Sequence, residues 1–348
     1  MKDKIESLQL LRALAALMVV VTHLWGMSET KFASSIGLGL VGSFGVDMFF
    51  ILSGFIMCYT IKENSTLGVS GAFGFLIRRV ERIYPVFIII LIPYLMKYML
   101  DGGSFDLYVI LGNILLLPTF NGDPDYRMLV FPSWTLVYEM FFYVILSLFM
   151  VFSINKKSLI LMTSAFIVLM VVLTNVLSLK GERLGWVNFS YMIGDTLMIN
   201  FVIGCLFSLV LNYTTNLFDK LSFSVITTSS LIVIFLIAGV VLSKSGVPRL
   251  YSFGVCSFFV FVLFITLGQC SGKVYRLFVY IGNASYSIYL THIFFISINK
   301  FIVGKFGVNQ DVLGLVSSIV AISFGCLFYS FVEKNIMLIF KKRRASIA

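Results

Sequence analysis

Long apolar runs alternate with short polar breaks from one end of the chain to the other. The runs fall near residues 8–26, 40–61, 83–100, 107–120, 133–152, 159–178, 193–211, 222–242, 250–268, 278–299 and 311–332. Most of them reach the roughly 20 residues that a helix needs to cross a hydrocarbon core about 30 Å thick. Inside lipid every backbone polar group must be satisfied within the protein, so such runs predict helices. The pattern predicts an all-α polytopic membrane protein. Lysines and arginines orient it: MKDK at the start, Arg78, Arg79, Arg82, Lys156, Lys157, Lys273, Arg276 and KKRR at 341–344 all mark cytoplasmic ends. Eleven crossings would place the termini on opposite sides. The 107–120 run is bounded by Asp101, Gly102, Gly103 and Pro118, and if it is a half-span or a surface helix the conflict disappears. About ten transmembrane helices then remain, with both termini cytoplasmic and the segments DGGSFD and NGDPDYRMLVFPSW outside.

Composition agrees with this reading. Of the 348 residues 59% are hydrophobic and only 12% charged, and the mean hydropathy is +1.01. No polar stretch is long enough to fold separately, so residues 1–348 are expected to form a single membrane domain with no appended soluble domain. The first apolar run has no small-x-small cleavage site and carries a charge, which marks a retained span. The five cysteines, Cys58, Cys205, Cys256, Cys270 and Cys326, are scattered singly, as inert core residues are. With two histidines in the chain, no metal site is expected. The net charge of +10 follows from basic cytoplasmic loops, so no nucleic-acid partner is expected.

Candidate chemistry lies in the few ionisable residues within the spans, where a charge costs at least about 2.5 to 3.5 kcal/mol. Arg12 and His23 are eleven positions apart, about three helical turns, and share one face. Asp47, Glu139 and His292 lie in other spans. Counting about 1.5 Å per residue from the expected boundaries puts His23, His292, Asp47 and Glu139 at nearly one level in the outer half, with Arg12 deeper toward the cytoplasm. Each also has a plainer reading. Arg12 can snorkel to headgroups, Asp47 can be a packing or capping residue, Glu139 a structural partner, and His292 a satisfied core histidine. A histidine oriented by a carboxylate is suited to general-base work on a hydroxyl. Such a reaction needs an activated acyl donor. The rival reading is a proton-coupled transporter with the His, Asp and Glu residues as a relay, which an inverted repeat would favour, and none is found. A scaffold without chemistry leaves the level of charges unexplained.

The Arg-x10-His of the first span, FGVDMFFILSGF, RRVERIYP, SWTLVYEMFFY, SYSIYLTH and the closing FVEK, taken in order, resemble the acyltransferase-3 family of integral membrane acyltransferases over about residues 5–335. The resemblance implies transfer of an acyl group, most often acetyl from acetyl-CoA, to a hydroxyl of a cell-surface or lipid-linked glycan such as an O-antigen or exopolysaccharide, at the bacterial cytoplasmic membrane. By motif position it makes His23 the essential histidine, Arg12 its paired arginine, and Arg79 and Arg82 the Arg-x-x-Arg element. Guanidinium forks at the cytoplasmic mouth suit the phosphates of coenzyme A, although a positive-inside cluster has the same appearance. His23 then acts as general base or as transient acyl carrier, with Asp47 and Glu139 orienting it. No permanently bound cofactor is implied, and acyl-CoA is a co-substrate. Two departures stand out. One acidic residue, Glu139, stands where the family's motif often has two, and FVEKN replaces the commoner VEKP ending. Ser53 and Gly54 permit close helix packing. Trp134 and Tyr286 read as interface anchors or sugar-stacking residues.

Overall fold

A computed structural model describes residues 2–26, 30–61, 67–102, 106–120, 127–220, 223–268 and 270–347, with no side-chain detail for 2–5, 212–220, 345 and 347. Among them the protein is all-α. In chain order the helices are α1 Lys2–Leu24, α2 Lys31–Ser35, α3 Leu38–Thr60, α4 Gly68–Leu100, α5 Leu107–Ile114, α6 Trp134–Phe152, α7 Lys156–Val176 and α8 Phe189–Ile193. There follow α9 Leu197–Lys220, α10 Val225–Lys244, α11 Val255–Ile265, α12 Lys273–Asn283, α13 Ser285–Thr291, α14 Ile293–Phe306, α15 Gln310–Phe328 and α16 Lys334–Ile347. Two π-helical turns, Leu250–Gly254 and Tyr329–Glu333, lead into α11 and α16.

Eight helices among the described residues are long and apolar enough to cross a membrane, and Leu197–Leu211 and Leu250–Ile265 are shorter apolar helices. Together these match the ten expected spans, and the chain is a polytopic membrane protein. Helix α5 has 8 residues, about 12 Å, well short of a crossing. The expected external segments fall partly on residues 103–105 and 121–126, outside the described residues. Two expected boundaries need correction. The helix that carries the third run begins at Gly68, ahead of residue 83, because nothing in VSGAFGFLIRRVERIY breaks a helix, so Arg78, Arg79 and Arg82 lie inside α4. Its 33 residues extend about 50 Å, more than a bilayer core spans. The expected 278–299 run is divided at Ala284: amphipathic α12 ends at Asn283, and the membrane-length segment is Ser285–Phe306.

The chain forms two compact units. The first comprises Met1–Met57 and Ile199–Tyr329. Here α1 runs parallel to α12 and α13. Tyr275 donates to Glu6 (3.2 Å), Arg12 to Ser285 (3.1 Å), and His23 meets His292 (2.8 Å). Small residues bring the helices this close. A Cβ on Gly282 would collide with the Gln9 carbonyl, and Ala13, Ala16, Val20 and Leu24 form a buried seam with Ile281, Ala284, Ile288 and Ala321. Against α3 the pairing is antiparallel, Thr22 accepting from the Gly42 amide (2.6 Å) and Gly45 lying on the Ala15 carbonyl. Gly54 of α3 faces the Phe201 carbonyl while Gly204 of α9 faces that of Ile51, a reciprocal close crossing.

The second unit comprises Cys58–Met198 and Ser330–Ala348. Helix α4 packs against α5, α6 and α16, and α6 against α7. Trp186 is fully buried, donating to the Leu117 carbonyl (2.9 Å) over Gly112 of α5.

Candidate active site

Among the described residues of the first unit, two buried polar clusters hold the candidate ionisable groups. One joins α1 to the SYSIYLTH segment. Ser285 and His292 are seven positions apart, two turns of one face, and they meet Arg12 and His23, three turns apart on α1. The long arginine side chain takes up the difference in rise. The His23 and His292 rings are 4° from coplanar with centroids 5.1 Å apart. That separation is the 2.8 Å between His23 Nδ1 and His292 Nε2 plus the two ring radii, so the contact is an in-plane hydrogen bond and not a face-to-face stack.

Its direction follows from the next link. His292 Nδ1 lies 3.3 Å from the Ile288 carbonyl oxygen, which can only accept, so His292 carries its proton on Nδ1 and offers the lone pair of Nε2. His23 must then donate from Nδ1. In a neutral imidazole that places the basic lone pair of His23 on Nε2. His292 is fully buried and His23 only partly so. The arrangement does for His23 what a carboxylate does in many hydrolases: it fixes tautomer and ring orientation.

The other cluster contains Asp47, whose side chain is fully buried. Arg249, at the entry of the π-turn, donates to Asp47 Oδ2 from Nη2 (2.7 Å) and Nε (3.0 Å), and Asn200 of α9 donates to Oδ1 (2.5 Å). A charge-paired carboxylate ties three chain segments together. The α1–α3 register of Thr22 with Gly42 and of Ala15 and Val19 with Gly45 sets Asp47 level with about residues 13–17. That is roughly 9 to 15 Å along α1 from His23. The expectation that these two share a level is therefore corrected: α3 starts at residue 38 and its register against α1 carries Asp47 inward. The hydrogen-bond partner that His23 meets on α1's neighbour in this unit is His292.

In the second unit Glu139 accepts a hydrogen bond from Tyr143, one turn further along α6. The Arg79 guanidinium lies over the rings of Tyr143 (5.5 Å) and Phe75 (5.2 Å), and Arg82 is within electrostatic reach of Tyr143. Cation, aromatic face and carboxylate thus form one cluster between α4 and α6. Trp134 stacks edge-on with Tyr138 and receives Arg183 on its face at 5.7 Å, and Tyr138 donates to Asp195 (2.9 Å). Ser53 and Tyr286 are partly buried on α3 and α13.

Sequence reasoning missed Ser285, Asn200 and Arg249. The signal for Arg249 is its place in KSGVPR, an outer segment in the expected topology, where a basic residue runs against the positive-inside bias. For Asn200 and Ser285 the signal is weaker, a polar side chain inside or at the start of an apolar run.

A family model described as an acyltransferase domain matches residues 5–332. The chain belongs to the acyltransferase-3 family, and it is an integral membrane acyltransferase. Comparison with curated proteins gives no match, and neither does comparison with solved structures.

Proposed function

We propose that this protein transfers an acyl group, acetyl from acetyl-CoA in the first instance, to a hydroxyl of a cell-surface or lipid-linked glycan, working in a bacterial cytoplasmic membrane. The observation that supports it is the bond from His23 Nδ1 to His292 Nε2, which assigns the basic lone pair to His23 Nε2. That nitrogen takes the proton of the acceptor hydroxyl as its oxygen bonds to the thioester carbonyl carbon. The C–S bond then breaks, and the imidazolium returns the proton to the departing coenzyme A thiolate. General-base help of this kind contributes about 10²- to 10⁴-fold. Arg12, Arg79 and Arg82 carry the positive charge that suits the phosphates of the donor. Asp47 is a structural ion-pair partner, and Glu139 holds Tyr143.

The test is acetyl transfer by purified protein from labelled acetyl-CoA to surface polysaccharide from cells lacking the gene. His23→Ala should abolish transfer while expression and membrane insertion persist, because no charge is added to the bilayer. Substantial transfer by this variant would remove the reading.

A further inference from the structure

Just beyond the histidine pair, where α1 ends, lies a polar and aromatic cluster that the reaction as described does not use. Trp25, two residues past His23, donates from Nε1 to Asp311 Oδ1 (2.7 Å), and Thr30 donates to the same oxygen (2.5 Å). Gly314 opens the surface of α15 so that Trp25 can seat against it, and the indole stacks on Phe32 at 5.8 Å. Asn299, two turns past His292 on the same face, donates to Ser317 (2.8 Å) and to the Leu24 carbonyl (3.4 Å), which lies between His23 and Trp25.

Two acceptor atoms in this cluster are unused among the described residues. Neither Asp311 Oδ2 nor Asn299 Oδ1 receives a hydrogen bond, and both side chains are only partly buried. A carboxylate oxygen and an amide oxygen in a cluster that Trp25 anchors match a ring that presents several hydroxyl donors at its edge. A coenzyme A phosphate would instead be repelled by the carboxylate.

We propose that Trp25, Asp311 and Asn299 form the subsite for a carbohydrate acceptor, with Asp311 Oδ2 and Asn299 Oδ1 accepting from ring hydroxyls so that a neighbouring hydroxyl is presented to His23. The proposal rests on the acyl-transfer reading and adds the place and chemistry of the acceptor. Asp311→Asn is the informative variant. One amide oxygen still receives Trp25 Nε1 and Thr30, while the other position becomes an NH2 donor that opposes a sugar hydroxyl.

Transfer is measured with polysaccharide from cells lacking the gene as acceptor and acetyl-CoA as donor. In Asp311→Asn and in Trp25→Phe the KM for polysaccharide should rise about tenfold or more, the lower end of what one charge-assisted hydrogen bond carries. The KM for acetyl-CoA and the kcat at saturating polysaccharide should stay within about twofold of wild type. A parallel fall in kcat, or a rise in the acetyl-CoA KM, would make the cluster a structural support for His23 and overturn the subsite, as would unchanged kinetics. Absence of transfer by the wild-type protein is a separate result: it removes the acyl-transfer reading and the subsite with it.

Discussion

His23 with His292 and Asp47 with Arg249 are both ionisable pairs within the first unit, and they differ in what their partners leave available. Asp47 accepts from a guanidinium and an amide, so its charge is matched where it lies and the cluster holds α3, α9 and the π-turn in register. In the histidine pair the named hydrogen bonds run from His23 to His292 to the Ile288 carbonyl, and this order of donors assigns a basic nitrogen to His23. The cost of placing an ionisable group within a span is common to both and does not separate chemistry from architecture. The direction of the hydrogen bonds does.

The largest effect that can break this comparison is the loss of transfer in His23→Ala set against Asp47→Ala. Removing the Asp47 carboxylate leaves the Arg249 guanidinium without its acid, which should destabilise the fold by about 3 to 5 kcal/mol, read as a lowered melting temperature in detergent. Replacing Asp47 and Arg249 together by Asn and Met should restore most of that stability, because no uncompensated charge remains. The double variant should also keep His23-dependent transfer. A double variant that is stable but inactive would move Asp47 from the architectural to the chemical side.

A smaller effect is expected at His292. His292→Gln offers an amide oxygen to the His23 Nδ1 proton, whereas His292→Phe offers nothing. Loss of an orienting partner of this kind costs about 10- to 100-fold, so the Phe variant should lose that much of kcat and the Gln variant should recover part of it. Equal activity in the two would show that the ring fills space and does not fix the tautomer. A matching loss of thermal stability in both would point the same way.

The skeleton of ten apolar helices was legible because length and hydropathy are local properties of the chain. The shared face of Arg12 and His23 was legible for the same reason, since it depends only on spacing within one helix. Partners were not. That His23 meets His292, and that Asp47 lies inward of both, follows from the register between helices, which is set where Gly45 rests on the Ala15 carbonyl and Gly282 on that of Gln9. A depth counted from span boundaries cannot see such offsets, and it is the register of α3 on α1 that sets Asp47 more than a helical turn from His23. The interruption at Ala284 was hidden because RLFVYIGNASYSIYL is apolar on both sides of it.

The smallest effect concerns the other end of the histidine cluster. Arg12 Nε donates to Ser285 Oγ at 3.1 Å, a bond that holds the guanidinium toward α13, and Arg12 has further interactions of its own. Ser285→Ala removes one acceptor and leaves the charge in place. The seam of Ala13, Ala16 and Ala284 tolerates the smaller side chain, so stability should change little. A hydrogen bond to a charged group contributes about 1.5 to 3 kcal/mol, or roughly 10- to 150-fold, and the remaining interactions of Arg12 should keep the effect at the low end. If Arg12 serves the donor, the loss should fall on the KM for acetyl-CoA, with kcat and the KM for polysaccharide unchanged. A loss confined to kcat would mean that Arg12 and Ser285 act on the histidine pair, joining the middle and the end of α1 into one reacting group.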